Sequence, residues 1–169
     1  MTPEWTEDDA VIKVINLVVA RYGKPDFRSK VFHCFRNIPL AWRMPLMTHV
    51  LESEIENGGL AQFLWTTCYH YRCILQDAAD GYTLVGALGH AAAVGRCVAL
   101  CSRFDAGCRK AVEEAIRDEN GAHFEKWYEV TGSEMTFPEE ELFSSNSDIL
   151  QIKGRWILAH IDVFRELIK

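Results

Sequence analysis

Apolar residues in this chain recur at three- and four-residue intervals along most of its length, and no hairpin signature interrupts them. That spacing collects them on single faces of 3.6-residue helices, so the chain must bury helix against helix. Val11, Ile12, Ile15, Val18, Val19 and Tyr22 make the first face. Thr6 with Asp9 has the form of a capping box, and Gly23 with Pro25 ends the helix. Residues 26–38 lack a clean period and are read as holding a short extended piece. A second helix is predicted over Leu46 to Asn57, with Met47, Val50, Leu51 and Ile55 inward and Glu52 and Glu56 outward.

Asn57-Gly58-Gly59 stops that helix, because Asn and Gly tolerate the left-handed conformation of a helix end. Leu60, Phe63 and Leu64 begin a short third helix. Ile74, Leu75, Ala78 and Ala79 mark another, closed by Asp80-Gly81. From Tyr82 to Ser102 the chain is apolar nearly all round and rich in glycine and alanine, the composition of a buried central helix. Ala111, Val112, Ala115 and Ile116 face inward on the next. Asn120-Gly121 interrupts it, and Phe124, Trp127 and Tyr128 continue beyond. Residues 131–147 read as one long loop. The last helix starts near Asp148, with Ile149, Ile152, Trp156, Ile157, Ile161, Phe164 and Ile168 inward and His160 on the same stripe. The expectation is an all-α fold in which residues 1–169 form a single-domain helical bundle around the Gly/Ala-rich helix.

At 169 residues the chain buries enough surface to need no metal or disulfide staple. The longest uncharged run, Gly81 to Gly95, falls short of the roughly 18 apolar residues of a membrane span. The first residues are acidic where a secretory signal is basic and then apolar, so a soluble cytoplasmic protein without a membrane partner is expected. Six cysteines (Cys34, Cys68, Cys73, Cys97, Cys101 and Cys108) in such a setting read as reduced thiols. Neither Cys97 with Cys101 nor Cys68-Tyr-His70-Tyr-Arg-Cys73 has the paired C-x2-C knuckles of structural zinc. No metal and no cofactor are therefore expected.

Charge is unevenly spread. From Phe104 to Asp148 twelve acidic residues face four basic ones, giving −8. The remaining twelve acidic and fourteen basic residues give +2, for a net −6. Such a segment repels nucleic acid and attracts basic protein surfaces. Glu113, Glu114 and Asp118 on a helix and Glu139, Glu140 and Glu141 in the loop are the candidate partner-binding surface.

Catalytic motifs are missing: there is no phosphate-binding glycine loop followed by lysine, no G-x-S-x-G and no H-E-x-x-H. His33, His49, His70, His90 and His123 have no sequence-level partner that would mark a nucleophile pair. One constellation stands out, Glu54-Ile-Glu56-Asn57-Gly58-Gly59-Leu60-Ala61-Gln62-Phe63. Glu54 follows Val50 by four and Leu51 by three, so it points to the core side and needs donors. Gln62, one turn beyond the glycines, can supply one. Two readings stand: a general base with an amide that positions a substrate, or a polar clamp that sets the angle between two helices.

These residues also carry a resemblance. A glutamate, two residues, then Asn-Gly-Gly-hydrophobic-any-Gln-aromatic resembles the motif of the bacterial DNA-mimic protein family, here Glu54, Asn57, Gly58, Gly59, Leu60, Gln62 and Phe63. Residues 40–105 carry the likeness. Where the family places an asparagine shortly after the aromatic, this chain has Thr66. The resemblance implies an all-helical fold, homodimer formation and no catalysis. It also implies an acidic surface that takes the place of DNA on a basic, DNA-binding regulator, without direct nucleic acid binding. Rival readings are an enzyme or small-ligand domain using Glu54 and Gln62, and an immunity-type inhibitor of a basic toxin.

Overall fold

A computed structural model describes residues 4–30, 35–135 and 148–168. Every regular element among these residues is helical. The order is α1 (Glu7–Tyr22), α2 (Leu40–Thr67), α3 (Tyr71–Leu84), α4 (Leu88–Asp118), α5 (Ala122–Thr131), a 3-10 turn (Gly132–Met135), α6 (Ile149–Ala159), a second 3-10 turn (Ile161–Phe164) and α7 (Arg165–Ile168). The fold is all-α. α2 packs against α1, α3, α4 and α5, α3 lies on α4, and α6 crosses α1.

The start of α1 is the capping box expected of Thr6 and Asp9, and Gly23 closes it at φ +87. Its buried row is Ala10, Val11, Val14, Ile15 and Val18, whereas Ile12 and Tyr22 are each 42% exposed. The apolar stripe is therefore rotated by a fraction of a turn from the expected one. No extended piece forms in the described parts of residues 26–38, which are turns.

α2 begins at Leu40, six residues before the expected start, and carries Pro45 inside it. A proline in a helix interior forfeits a backbone hydrogen bond. Tertiary contacts hold this first turn nonetheless: Trp42 is buried and its Nε1 donates to the Val163 carbonyl at 2.7 Å. Arg43 grips Asp77 of α3 through Nε and Nη2, at 2.7 and 3.0 Å. Both side chains are largely buried, and the fork geometry satisfies the two charges together.

Asp80-Gly81 does not end α3, which runs on to Leu84. Gly81 is a packing residue: a Cβ there would lie 2.2 Å from Met44 Cγ. The turn comes later, at Gly86 with φ +81. The Gly/Ala-rich helix is α4, and it starts at Leu88, so Tyr82 belongs to α3. His90, Ala93, Val94, Cys97 and Cys101 form its buried row, while Gly89, Ala92, Gly95 and Ala99 face outward. Small residues serve both sides of a helix, because leaving one in water costs little.

The C-terminal helix breaks at His160 and continues as a 3-10 turn and α7. Phe164 and Leu167 are buried, but His160 is exposed and stacks on Trp156 at 4.3 Å. His160 and Ile168 thus leave the expected inward stripe, of which Ile157 and Phe164 are fully buried. Its most buried members include a lysine. Lys153 is 0% exposed, with Nζ 2.8 Å from both Glu52 carboxylate oxygens and 3.3 Å from Thr48 Oγ1. Tyr82 donates its hydroxyl to the same Glu52 at 2.7 Å, and burial beside that carboxylate pushes the phenol well above its ordinary pKa. Glu52, expected on the outer face of its helix, is instead the anion of a buried network. Beside Lys153, Gly154 lets α6 touch the start of α1, since a Cβ there would sit 1.9 Å from the Glu7 carbonyl oxygen.

Candidate functional site

As expected, the helical backbone is interrupted at Asn57-Gly58-Gly59: Gly58 and Gly59 leave helical φ/ψ, so α2 is two helical stretches joined at a kink. Gly59 has φ +73 and ψ −172, a conformation that L side chains rarely adopt. Gly58 has ordinary extended φ, but a Cβ on it would come within 2.9 Å of Gln62 Cβ. The two glycines thus have different reasons to be there, one of dihedral angle and one of space. Asn57 is exposed at the bend, and Phe63, just beyond it, is wholly buried in the core.

Across the bend the polar side chains meet. Gln62 Nε2 donates to Glu54 Oε2 at 3.3 Å, Thr66 Oγ1 donates to the same oxygen at 3.0 Å, and Gln62 Nε2 lies 3.2 Å from Thr66 Oγ1. Glu54, Gln62 and Thr66 are all half-buried. Thr66 was absent from the sequence constellation, although its i,i+4 spacing from Gln62 places it on the same face. It occupies the position where the resembled motif carries asparagine, and a hydroxyl here performs the donor's task. The partners of Glu54 are an amide and a hydroxyl. Such an arrangement ties two stretches of helix together.

The acidic surface divides into three kinds of carboxylate. Glu113 is held by Lys30 at 2.6 Å, and that ammonium keeps its carboxyl below the usual range. Asp118 is held by Arg117 at 2.8 Å, with His123 Nε2 at 3.1 Å, and is lowered in the same direction, chiefly by Arg117. Among the described residues, Glu114 has no ion-pair contact but His123 Nδ1, at 3.8 Å, and Arg117 lies in its field. Glu119, Glu125 and Glu129 are exposed and, among the described residues, make no ion pair. Glu125 and Glu129 are i,i+4 neighbours on α5, and Glu119 caps the end of α4. Of the candidate residues on α4, Glu113 and Asp118 are thus already paired, and the Lys30 partner of Glu113 lies 83 residues away in the chain, out of reach of sequence spacing. Glu139, Glu140 and Glu141 lie outside the described residues.

Among the described cysteines, Cys68, Cys97, Cys101 and Cys108 are free and buried. Cys73 is disulfide-bonded, which corrects the reading of all six as thiols. Spacing along a chain does not reveal which sulfurs the fold brings within bonding reach. Among the described residues no group of three His, Cys, Asp or Glu side chains could hold a metal ion, and no helix is long and apolar enough to cross a membrane.

Comparison with protein families gives a match. The model of a family described as DMP19-like protein matches residues 36–160, a stretch that takes in the bend, its clamp and the acidic end of α4 with α5. No curated protein and no solved structure matches.

Proposed function

The chain belongs to the DMP19-like family, and we propose that it is a non-enzymatic interaction protein whose acidic α4–α5 face occupies the DNA-binding surface of a basic protein. The observation that carries the reading is the row of unpaired carboxylates, Glu119, Glu125 and Glu129, beside Glu113, Glu114 and Asp118. Carboxylates one helical turn apart are about 5–6 Å from one another at Cβ, close to the scale of phosphate spacing along a strand. The ion pairs of Glu113 and Asp118 fix those side chains in place. The free glutamates of α5 carry the net field that a basic surface meets first. Glu54 stays outside this function, since its hydrogen bonds run to neutral groups of its own helix.

A homodimer doubles the acidic face and suits a partner that is itself two-fold symmetric on DNA. The test is affinity capture from lysate of the native cell at low and high salt, followed by competition with duplex DNA. A basic, DNA-binding protein is expected, released by salt and displaced by DNA. The triple charge reversal Glu119→Lys, Glu125→Lys and Glu129→Lys is expected to lose that partner and flatten the salt dependence. Capture that ignores both the reversals and competing DNA overturns the reading.

A further inference from the structure

A cleft of about 880 Å3 opens between the end of α1, the segment that leads into α2, and the first turn of α3. That volume lies within the roughly 300–1,000 Å3 of small-molecule sites. Its described lining contains three arginines, Arg36, Arg72 and Arg109, and no carboxylate. This is unexpected on a chain of net charge −6. Several arginines elsewhere are matched to acids, Arg43 to Asp77, Arg103 to Glu134, Arg117 to Asp118 and Arg165 to Asp162, whereas Arg21 and Arg28 have no ion pair among the described residues. In the cleft only Arg109 is matched, by Asp105 at 2.5 Å. Arg36 and Arg72 are exposed and, among the described residues, have no ion pair.

Two further features point the same way. The first turn of α3 lines the cleft, and its cap residue His70 makes no side-chain cap hydrogen bond, so the positive end of a 14-residue helix faces the cavity. The walls are also aromatic. Tyr22, 42% exposed, meets Phe35 edge to face at 6.4 Å and carries the Arg21 guanidinium over its ring at 5.9 Å, so a flat ligand would meet a ring already backed by a cation. The faces of Tyr69 are already engaged by Lys30 and Arg109, at 5.1 and 5.5 Å. Guanidinium forks recognise phosphate oxygens two at a time, and an aromatic wall selects a planar ring.

We propose that this cleft binds a nucleoside phosphate, with Arg36, Arg72 and the start of α3 on the phosphate oxygens and Tyr22 against the base. The cleft adjoins the acidic face through Lys30, which lies over Tyr69 and pairs with Glu113, but none of the residues proposed to hold the ligand belongs to that face.

The probe is ADP, titrated calorimetrically into the full chain, with adenosine and inorganic pyrophosphate as half-ligands. ADP is expected to bind at least about tenfold tighter than either half-ligand, because ring and phosphate contacts add. The double variant Arg36→Ala, Arg72→Ala is expected to weaken ADP by about tenfold or more, since charge-assisted contacts are lost. Both side chains are exposed, so the fold stays intact, and an unchanged circular dichroism spectrum verifies this. Tyr22→Ala is expected to weaken ADP about three- to fivefold and leave pyrophosphate unchanged. No binding of ADP at millimolar concentration, equal affinity for ADP and pyrophosphate, or an affinity untouched by the double arginine variant overturns the proposal.

Discussion

Glu52 and Glu54 leave the same helix two residues apart, and α-helical geometry turns their side chains roughly 200° from one another. Glu52 meets a cation from the far end of the chain: Lys153 is 101 residues away in sequence and fully buried. Glu54 meets an amide and a hydroxyl of its own helix, across the bend. The first contact ties three helices, since Tyr82 of α3 joins it, whereas the second shapes one. A carboxylate's neighbours therefore decide whether it holds the tertiary structure or only a local angle, and the residue type alone says nothing of this.

Breaking the long-range contact has the largest expected effect. Lys153→Met leaves Glu52 without its cation and is expected to cost about 3–5 kcal/mol in urea denaturation. Adding Glu52→Leu to it is expected to return most of that loss, because an apolar pair no longer strands a charge. A single variant as stable as the parent would erase the contrast between the two carboxylates. The local contact comes next. Glu54→Ala is expected to cost about 1–3 kcal/mol, with Gln62 and Thr66 losing their acceptor. Its binding properties on the acidic face stay as they were, and a variant that keeps its melting temperature but loses function would move Glu54 from the clamp to a working site.

Gly59→Ala asks whether the bend or the clamp matters more. The positive φ at Gly59 predicts a loss of about 1–2 kcal/mol, read in the same denaturation assay. The smallest effect belongs to two buried thiols of α4. Burial pushes the Cys97 thiol up to about 12, and Cys101 rises for the same reason. The folded state thus holds these protons more tightly than the unfolded chain. Stability is fully present below an ordinary thiol pKa near 9 and falls as pH rises towards 12. Thiol titration at pH 8 is expected to leave both unmodified until denaturant is added. Rapid labelling in the native protein would contradict the burial.

Much of this architecture is legible in the sequence because helix periodicity and caps are local. The capping box of Thr6, the inward row of Met47, Leu51 and Ile55, and the break at Asn120-Gly121 are each written within one or two turns. What escapes is what depends on distant partners. Gly81 reads as a stop because its reason for being small, Met44 of another helix, is remote. Lys153 looks like a polar interruption of an apolar stripe until Glu52 is placed over it. The clamp lay half in view. Glu54 and Gln62 are separated by one bend, whereas Thr66 needed the geometry of that bend to join them. Among the carboxylates of α4 and α5, sequence gives the number but not which are already neutralised.

The crossing of α6 on α1 at Gly154 bears on how the chain is made. α1 is synthesised well before α6, the helix that closes on it at Glu7. At about 5–20 residues per second, that wait is on the order of ten seconds. Through that interval Glu52 also stands without its cation. The nascent chain thus carries an unmatched anion at Glu52 until the segment that holds Lys153 has been made.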